Sequence, residues 1–154
     1  YQGFIFIGLI NVNDEPKVIE YNVRMGDPET EAVLPRIQND FVEIFQSFKD
    51  KTLDKIELKI DNRSAATVVL VSGGYPSNYN KGIKITGIDR VVDSTVYHAG
   101  AIQKEGSVYT NGGRVLAITS FGDNFQQALD NSYKSALKIN FDSMYYRKDL
   151  GFDL

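Results

Sequence analysis

The chain opens on an apolar, β-branched run at residues 4–12, passes through Asn13-Asp14-Glu15-Pro16, whose composition is that of a turn, and becomes strand-like again over residues 17–23. This pattern predicts a β-hairpin. A lone hairpin is marginally stable, and this one is apolar at too many positions to be left bare, so it calls for a larger sheet. The polar loop Arg24-Met25-Gly26-Asp27-Pro28-Glu29 and a short helical segment interrupted by Pro35 come next. A clear helix follows: Asn39 or Asp40 can cap it, and Phe41, Ile44, Phe45 and Phe48 recur at i, i+3, i+4 and i+7.

Residues 49–63 are charged and mark the expected boundary between two regions. Beyond it the pattern is mainly β, with strands predicted at 65–72, 84–86, 95–98, 107–110 and 114–121. One long helix is expected from Asp123 to about Asn140. Asp123 would be its N-cap and Gln126 the capping-box partner. Phe125, Ala128, Leu129, Tyr133, Ala136, Leu137 and Asn140 would form its buried side. The fold class expected from this order is α+β.

With 154 residues, 42% hydrophobic and 24% charged, the chain can bury a core of its own. A formal net charge of -3, with 17 Lys and Arg scattered along the chain, offers no general field for nucleic acid or anionic lipid, which disfavours both as partners. The absence of cysteine excludes disulfides, cysteine-ligated zinc and thiol catalysis, and suits a cytoplasmic setting. His98 is the only histidine, so a zinc site or a Ser-His-Asp triad would have to be built around one imidazole. The apolar runs are far too short for a membrane span. The chain starts without Met and reads at once as a core strand, which is expected of a piece of a longer protein.

Candidate chemistry gathers at Glu20-Tyr21-Asn22-Val23-Arg24. Alternation on a strand puts Glu20, Asn22 and, if the strand persists, Arg24 on one face. A carboxylate and an amide oxygen are the hard ligands that Mg²⁺ takes in small number, leaving its other positions to water and phosphate. An arginine beside them suits the negative charge of phosphate. The same residues also make an ordinary polar strand face with a local ion pair. Gly26-Asp27-Pro28-Glu29 reads either as a turn or as a loop offering a carboxylate and backbone N–H groups to a small polar substrate. Asn111-Gly112-Gly113-Arg114 is a bend from which an arginine could meet an anion. Gly73-Gly74-Tyr75-Pro76 lacks the features of a phosphate loop, and His98 at a strand end reads as structural.

Taken in order, these segments carry a resemblance. The run from Val18 through Glu20-Tyr21-Asn22-Val23-Arg24-Met25-Gly26-Asp27-Pro28-Glu29 to Thr30 closely resembles the magnesium-binding strand and following loop of the phosphoribosylamine–glycine ligases, members of the ATP-grasp superfamily. Val71-Ser72-Gly73-Gly74-Tyr75-Pro76, Tyr97-His98-Ala99-Gly100, Thr110-Asn111-Gly112-Gly113-Arg114-Val115-Leu116 and Tyr146-Arg147-Lys148-Asp149-Leu150-Gly151 resemble further signatures in the family's order. Met25 and Ala101 depart from the commoner Phe and Thr, and residues 4–12 lack the acidic ligand that many ATP-grasp enzymes carry on the preceding strand.

The resemblance implies a tail of an ATP-grasp domain at residues 1–50, a charged connection at 51–63, and a small β-rich, barrel-like C-terminal domain with one long helix at 64–154. It implies an ATP-dependent reaction in purine synthesis. Glycine would be activated as its acyl phosphate and attacked by the amine of phosphoribosylamine, with Mg²⁺ or Mn²⁺ as the metal. Glu20 and Asn22 would hold the metal, Arg24 would stabilise the acyl phosphate, and Asp27 would orient glycine. Gly26, Pro28 and Glu29, with Asn111, Gly112, Gly113 and Arg114, would complete the substrate contacts. The isolated chain is expected to be inactive, to bind ATP weakly, and to be able to self-associate through its exposed sheet. The alternatives are another ATP-grasp carboxylate–amine ligase or a non-catalytic β-rich binding module.

Overall fold

A computed structural model describes residues 1–152, and these divide into two compact units, Tyr1–Asp61 and the residues from Asn62 onward. In the first unit the turn is tighter than the composition suggested. Asn13 and Asp14 both take positive φ, 53° and 62°, as a two-residue type I′ turn requires. Glu15 and Pro16 therefore belong to the second strand. β1 (Phe6–Val12) and β2 (Glu15–Asn22) pair antiparallel with Val12 opposite Glu15 and Asn11 opposite Pro16. The register shifts between Gly8 and Leu9: Leu9 faces Val18 while Gly8 faces Glu20, leaving Ile19 as the extra residue of a bulge. Ile7, Leu9, Ile10, Val18, Ile19 and Tyr21 are all exposed on this ribbon.

α1 (Thr30–Val33) is one turn long, and Pro35 continues it only as a 3₁₀ turn over Leu34–Arg36. α2 (Phe41–Asp50) has Asp40 as its cap, with the carboxylate accepting from the N–H groups of Val42 (2.7 Å) and Glu43 (3.3 Å). Asn39 is used elsewhere: its side chain bonds the backbone of Glu57 and Lys59 at 2.9 and 2.6 Å. Lys51 in the left-handed region ends the helix. Of the predicted stripe only Ile44 is buried, while Phe45 packs tilted between Phe41 and Phe48 with ring centroids 6.1 and 6.0 Å away.

The second unit contains β3 (Ser64–Val71), β4 (Lys84–Ile85), β5 (Thr95–His98), β6 (Ala101–Lys104), β7 (Ser107–Thr110), β8 (Arg114–Gly122) and α3 (Phe125–Ala136). They form two three-stranded antiparallel sheets, ordered β3-β8-β5 and β4-β7-β6. β6 was not expected from its sequence; it pairs with β7 across the Glu105-Gly106 turn, where both residues again have positive φ. The core is built from Val68, Leu70, Ile85, Val115, Leu116, Ile118, Leu129, Ile139 and Phe141.

α3 starts and ends differently from the expectation. Asn124, not Asp123, is the cap, and its side chain accepts from Gln127 N at 2.9 Å. Gln127, not Gln126, reaches back, with its side-chain oxygen accepting from Asp123 N at 2.5 Å. The helix stops at Ala136. Leu137 is 74% exposed and Phe125 38% exposed, so neither belongs to the buried side. That side is made of small residues, Ala128, Ser132, Ser135 and Ala136, with Leu129. Small side chains let the helix lie close on the sheet: a Cβ at Gly122 would come within 2.8 Å of Gln127 C and 2.9 Å of Ala128 Cα. Ser132 donates to Ala66 O at 2.8 Å, and Ser94 bridges Ser120 and Ser135 at 2.6 Å each, so these buried hydroxyls are satisfied. Among the described residues no helix is long and apolar enough to cross a membrane.

The two leucines give a direct check on this packing. Leu116→Ala, at a fully buried position of β8, should cost about 2–5 kcal/mol in urea unfolding. Leu137→Ala should stay within about 0.5 kcal/mol.

Candidate functional site

In the first unit the bulge at Ile19 sets which way the last residues of β2 face. Glu20 stands opposite Gly8, where a Cβ would lie 3.1 Å from Glu20 Cγ, so the glycine leaves space for the carboxylate. Asn22, two residues on and on the same face, donates from Nδ2 to Glu20 Oε1 at 3.0 Å. The two ends of an Asn amide are interchangeable by a half-turn. With its oxygen forward, Asn22 and Glu20 present two hard oxygens at that separation. Cis ligands of an octahedral Mg²⁺ with bonds of about 2.0–2.1 Å lie about 2.9 Å apart, so the donor pair fits this ion. It fits as a partial site only: among the described residues no group of three or more His, Cys, Asp or Glu side chains could hold a metal.

β2 ends at Asn22, so Arg24 does not continue the Glu20-Asn22 line as it would on a longer strand. Its guanidinium turns back and donates from Nη1 to Met25 O at 2.8 Å, which commits one of five N–H groups. The loop that follows is closed by its own side chains. Thr30 Oγ1 donates to Gly26 O, and the Glu29 carboxylate lies where a Cβ on Gly26 would have to go. Glu29 O accepts from Ala32 and Val33 at 3.0 and 2.9 Å, starting α1. Gly26 and Glu29 thus have a structural role within the loop, while Asp27 and Pro28 are exposed on it.

In the second unit, motifs that are far apart in sequence meet at one end of the β3-β8-β5 sheet. Gly100 N donates to Arg114 O and Asn111 N to Gly100 O, both at 2.7 Å, so the two segments cross. The crossing is so close that a Cβ on Gly100 would lie 2.7 Å from Gly112 Cα, and one on Gly112 would lie 2.9 Å from Gly100 Cα. Only glycine fits on both sides. Ser72 ties the third motif in: its N–H donates to Gly113 O at 2.8 Å and its hydroxyl to Gly112 O at 2.9 Å. The ring of Tyr75 covers Gly113 in the space of a missing side chain. Arg114 leaves this knot half-buried as the first residue of β8, and His98 is exposed at the end of β5. Beside Asn111 opens a groove of about 470 Å³ lined by Lys81, Ile102, Lys104 and Tyr109, none of which the sequence pattern singles out.

Residues 65–153 match the family described as phosphoribosylglycinamide synthetase, C domain. The chain belongs to this family. Phosphoribosylamine–glycine ligases from Caldanaerobacter subterraneus and Vibrio vulnificus are 41% and 44% identical to it over 97% and 99% of its length. A bifunctional purine biosynthetic protein of Schizosaccharomyces pombe is 44% identical over 96%. The crystal structure of the phosphoribosylamine–glycine ligase of Thermotoga maritima superposes with a TM-score of 0.82 at 34% identity, covering 97% of this chain and 37% of that one. The chain spans 36% of the length of the two bacterial ligases and 19% of the yeast protein.

The C-domain family match takes in the closing segment, which is pinned back on the sheet and helix. Val71 and Tyr145 exchange backbone hydrogen bonds of 2.9 and 3.1 Å, and Tyr133 OH donates to Arg147 O at 3.0 Å. Arg147 and Asp149 form a two-pronged pair at 2.9 and 3.0 Å, which holds the Asp149 carboxyl below the usual carboxylate range and raises Arg147. The pair is exposed, so its weight in stability is slight.

The glycine crossing has no room for one more methyl group on either side. Gly100→Ala should destabilise the chain by about 1–3 kcal/mol. It should also release the Asn111 and Gly100 amides, measured as lost hydrogen-exchange protection, while the helix amides of α3 keep theirs.

Proposed function

We propose that the chain is the C-terminal part of an ATP-dependent ligase that joins glycine to phosphoribosylamine in purine synthesis. In this reading residues 1–50 are the tail of the ATP-grasp domain, 51–63 the connection, and 64–154 the family's C-terminal domain. The observation that carries it is the Glu20-Asn22 pair at the end of β2, with Arg24 and the Gly26–Glu29 loop directly after it, in a chain whose relatives carry that enzyme's name along their matching third. In a protein of the relatives' length, the rest of the ATP-grasp domain would supply the sheet that the apolar β1-β2 ribbon needs. A cytoplasmic location suits purine synthesis and the cysteine-free composition.

The chemistry is a transfer followed by an exchange. The γ-phosphoryl group of ATP passes to a carboxylate oxygen of glycine, releasing ADP, and the amine of phosphoribosylamine then attacks the carbonyl carbon. Phosphate leaves with the C–O electron pair, the attacking nitrogen loses a proton, and an amide remains. Mg²⁺, or Mn²⁺, would supply charge neutralisation across the ATP phosphates. Glu20 and Asn22 would hold it as two oxygen ligands. Arg24 would face the acyl phosphate, with the donors its bond to Met25 leaves over. Asp27 would take the glycine ammonium, since it is the exposed carboxylate of a loop whose other acid is packed against Gly26. Gly26, Pro28 and Glu29 shape that loop. Asn111, Gly112, Gly113 and Arg114 would be further contacts for the phosphorylated substrate. Most of the rate would come from positioning and charge neutralisation rather than from proton transfer by a side chain.

In this reading the chain, which spans 36% of the two bacterial ligases, would by itself be inactive and bind ATP weakly. A ligase acting on a different carboxylate would differ first in the Gly26–Glu29 loop, so glycine preference over other amino acids separates the two. The main test is kinetic. In the complete ligase, Glu20→Gln should lower turnover by about 10²-fold or more and raise the Mg²⁺ concentration needed for half-maximal rate; full activity at low Mg²⁺ would remove Glu20 as a ligand.

A further inference from the structure

The groove beside Asn111 has the makings of a second recognition element. Tyr109 on β7 pairs with Ile102 on β6 and with Lys84 on β4, and Lys104 lies two residues beyond Ile102, so these side chains share one face of the sheet. The other face sends Ile85 and Val108 to the core. Gly82 N donates to Thr110 O at 2.7 Å and Ile83 N to Thr110 Oγ1 at 3.1 Å. These bonds fix the strand entry so that Lys81 lies beside the chain that leads into the Asn111 bend. Nothing lies within 4 Å of where a Cβ on Gly82 would sit, so the backbone there faces open space.

The groove's volume of about 470 Å³ falls towards the small end of the roughly 300–1,000 Å³ usual for small-molecule sites. Lys81 and Lys104 bring two ammonium groups against one carboxylate, Glu105, among the lining residues. Ammonium groups are compact charges suited to phosphate oxygens, and an amide such as Asn111 can both donate to and accept from hydroxyls. Tyr109 and Ile102 give an apolar floor against which the C–H face of a sugar can lie. Two lysines in a chain of net charge -3 are too few for a nucleic-acid strand.

We infer that this groove binds a sugar phosphate, with Lys81 and Lys104 neutralising the phosphate, Asn111 meeting the hydroxyls and Tyr109 with Ile102 supporting the ring. The inference deepens the ligase reading and rests on it for its biological ligand, a ribosyl phosphate. The groove lies within the second unit, so binding can be measured on this chain.

The experiment is a titration of the ¹⁵N-labelled chain with ribose 5-phosphate, with ribose and inorganic phosphate as parallel arms. The amides of Lys81, Gly82, Lys104, Tyr109 and Asn111 should shift with ribose 5-phosphate and saturate at a lower concentration than with inorganic phosphate, while ribose should shift none of them. Lys81→Gln with Lys104→Gln, at exposed positions that leave the core intact, should weaken binding by about tenfold or more; Asn111→Asp should weaken it independently by placing a carboxylate at the groove. Equal affinity for inorganic phosphate, shifts centred elsewhere, or unchanged binding by the double variant would overturn the inference. In the complete ligase the double variant should raise KM for the phosphorylated amine and leave KM for glycine unchanged. An unchanged KM for both would overturn the groove while leaving the ligase reading in place. A complete protein that forms no amide at all would sink the ligase reading and leave the ribose 5-phosphate titration as the judge of the groove.

Discussion

The second unit depends on the burial of β8. Residues 115–120 are all buried, with β3 paired along one edge, β5 along the other, and α3 packed against its surroundings. A strand so enclosed can keep polar side chains only if each finds a partner. Thr119 meets Thr67 at 2.7 Å and Ser120 meets Ser94 at 2.6 Å, so the cost of burying those hydroxyls is offset. Everything at the strand's entry inherits this rigidity. Arg114 is its first residue, and the Gly100-Gly112 crossing is held to it by the bonds of Ala99 and Gly100 to Val115 O and Arg114 O. The crossing places three loop motifs against a strand that cannot move without opening the core.

The first unit works from the opposite condition. Its ribbon leaves large apolar side chains exposed, and its packing comes from the small aromatic cluster on α2. What the ribbon does hold firmly is register. The I′ turn at Asn13-Asp14 fixes the pairing, and the bulge at Ile19 then offsets it by one residue just before Glu20. Without that offset the face presented by Glu20 and Asn22 would be reversed relative to the pairing before it. The same loop economy recurs after β2, where Glu29 fills the space over Gly26 and leaves Asp27 as the exposed acid.

Much of this was legible in the sequence, and the exceptions have physical causes. Strands such as Thr95–His98 and Ser107–Thr110 stood out because β-branched and aromatic residues are bounded by turn formers. β6 did not, since Ile102-Gln103-Lys104 has a single large apolar residue and is a strand only because β7 pairs with it. The cap of α3 slipped by one because Asp123 and Asn124 are both good caps, and it is Asn124 whose side chain accepts from Gln127 N. Leu137 continues the helical period yet faces solvent, because the buried stripe is carried by serines and alanines that no hydrophobic pattern marks. At the site, alternation sufficed to put Glu20 beside Asn22. It could not show that the strand ends before Arg24, that two distant glycines touch, or that Lys81 and Lys104 line one groove, because these follow from tertiary packing.

The role proposed for Glu20 and Asn22 is to hold the metal of an ATP-dependent ligase. Mn²⁺ offers the most direct test, because its unpaired electrons broaden nearby nuclear resonances. In the complete ligase with Mn²⁺ and ATP, the side-chain amide of Asn22 and the neighbouring backbone amide of Tyr21 should broaden beyond detection, and Glu20→Gln should restore them. Broadening centred on other residues, or signals at Asn22 that stay sharp while Mn²⁺-ATP is bound, would contradict it.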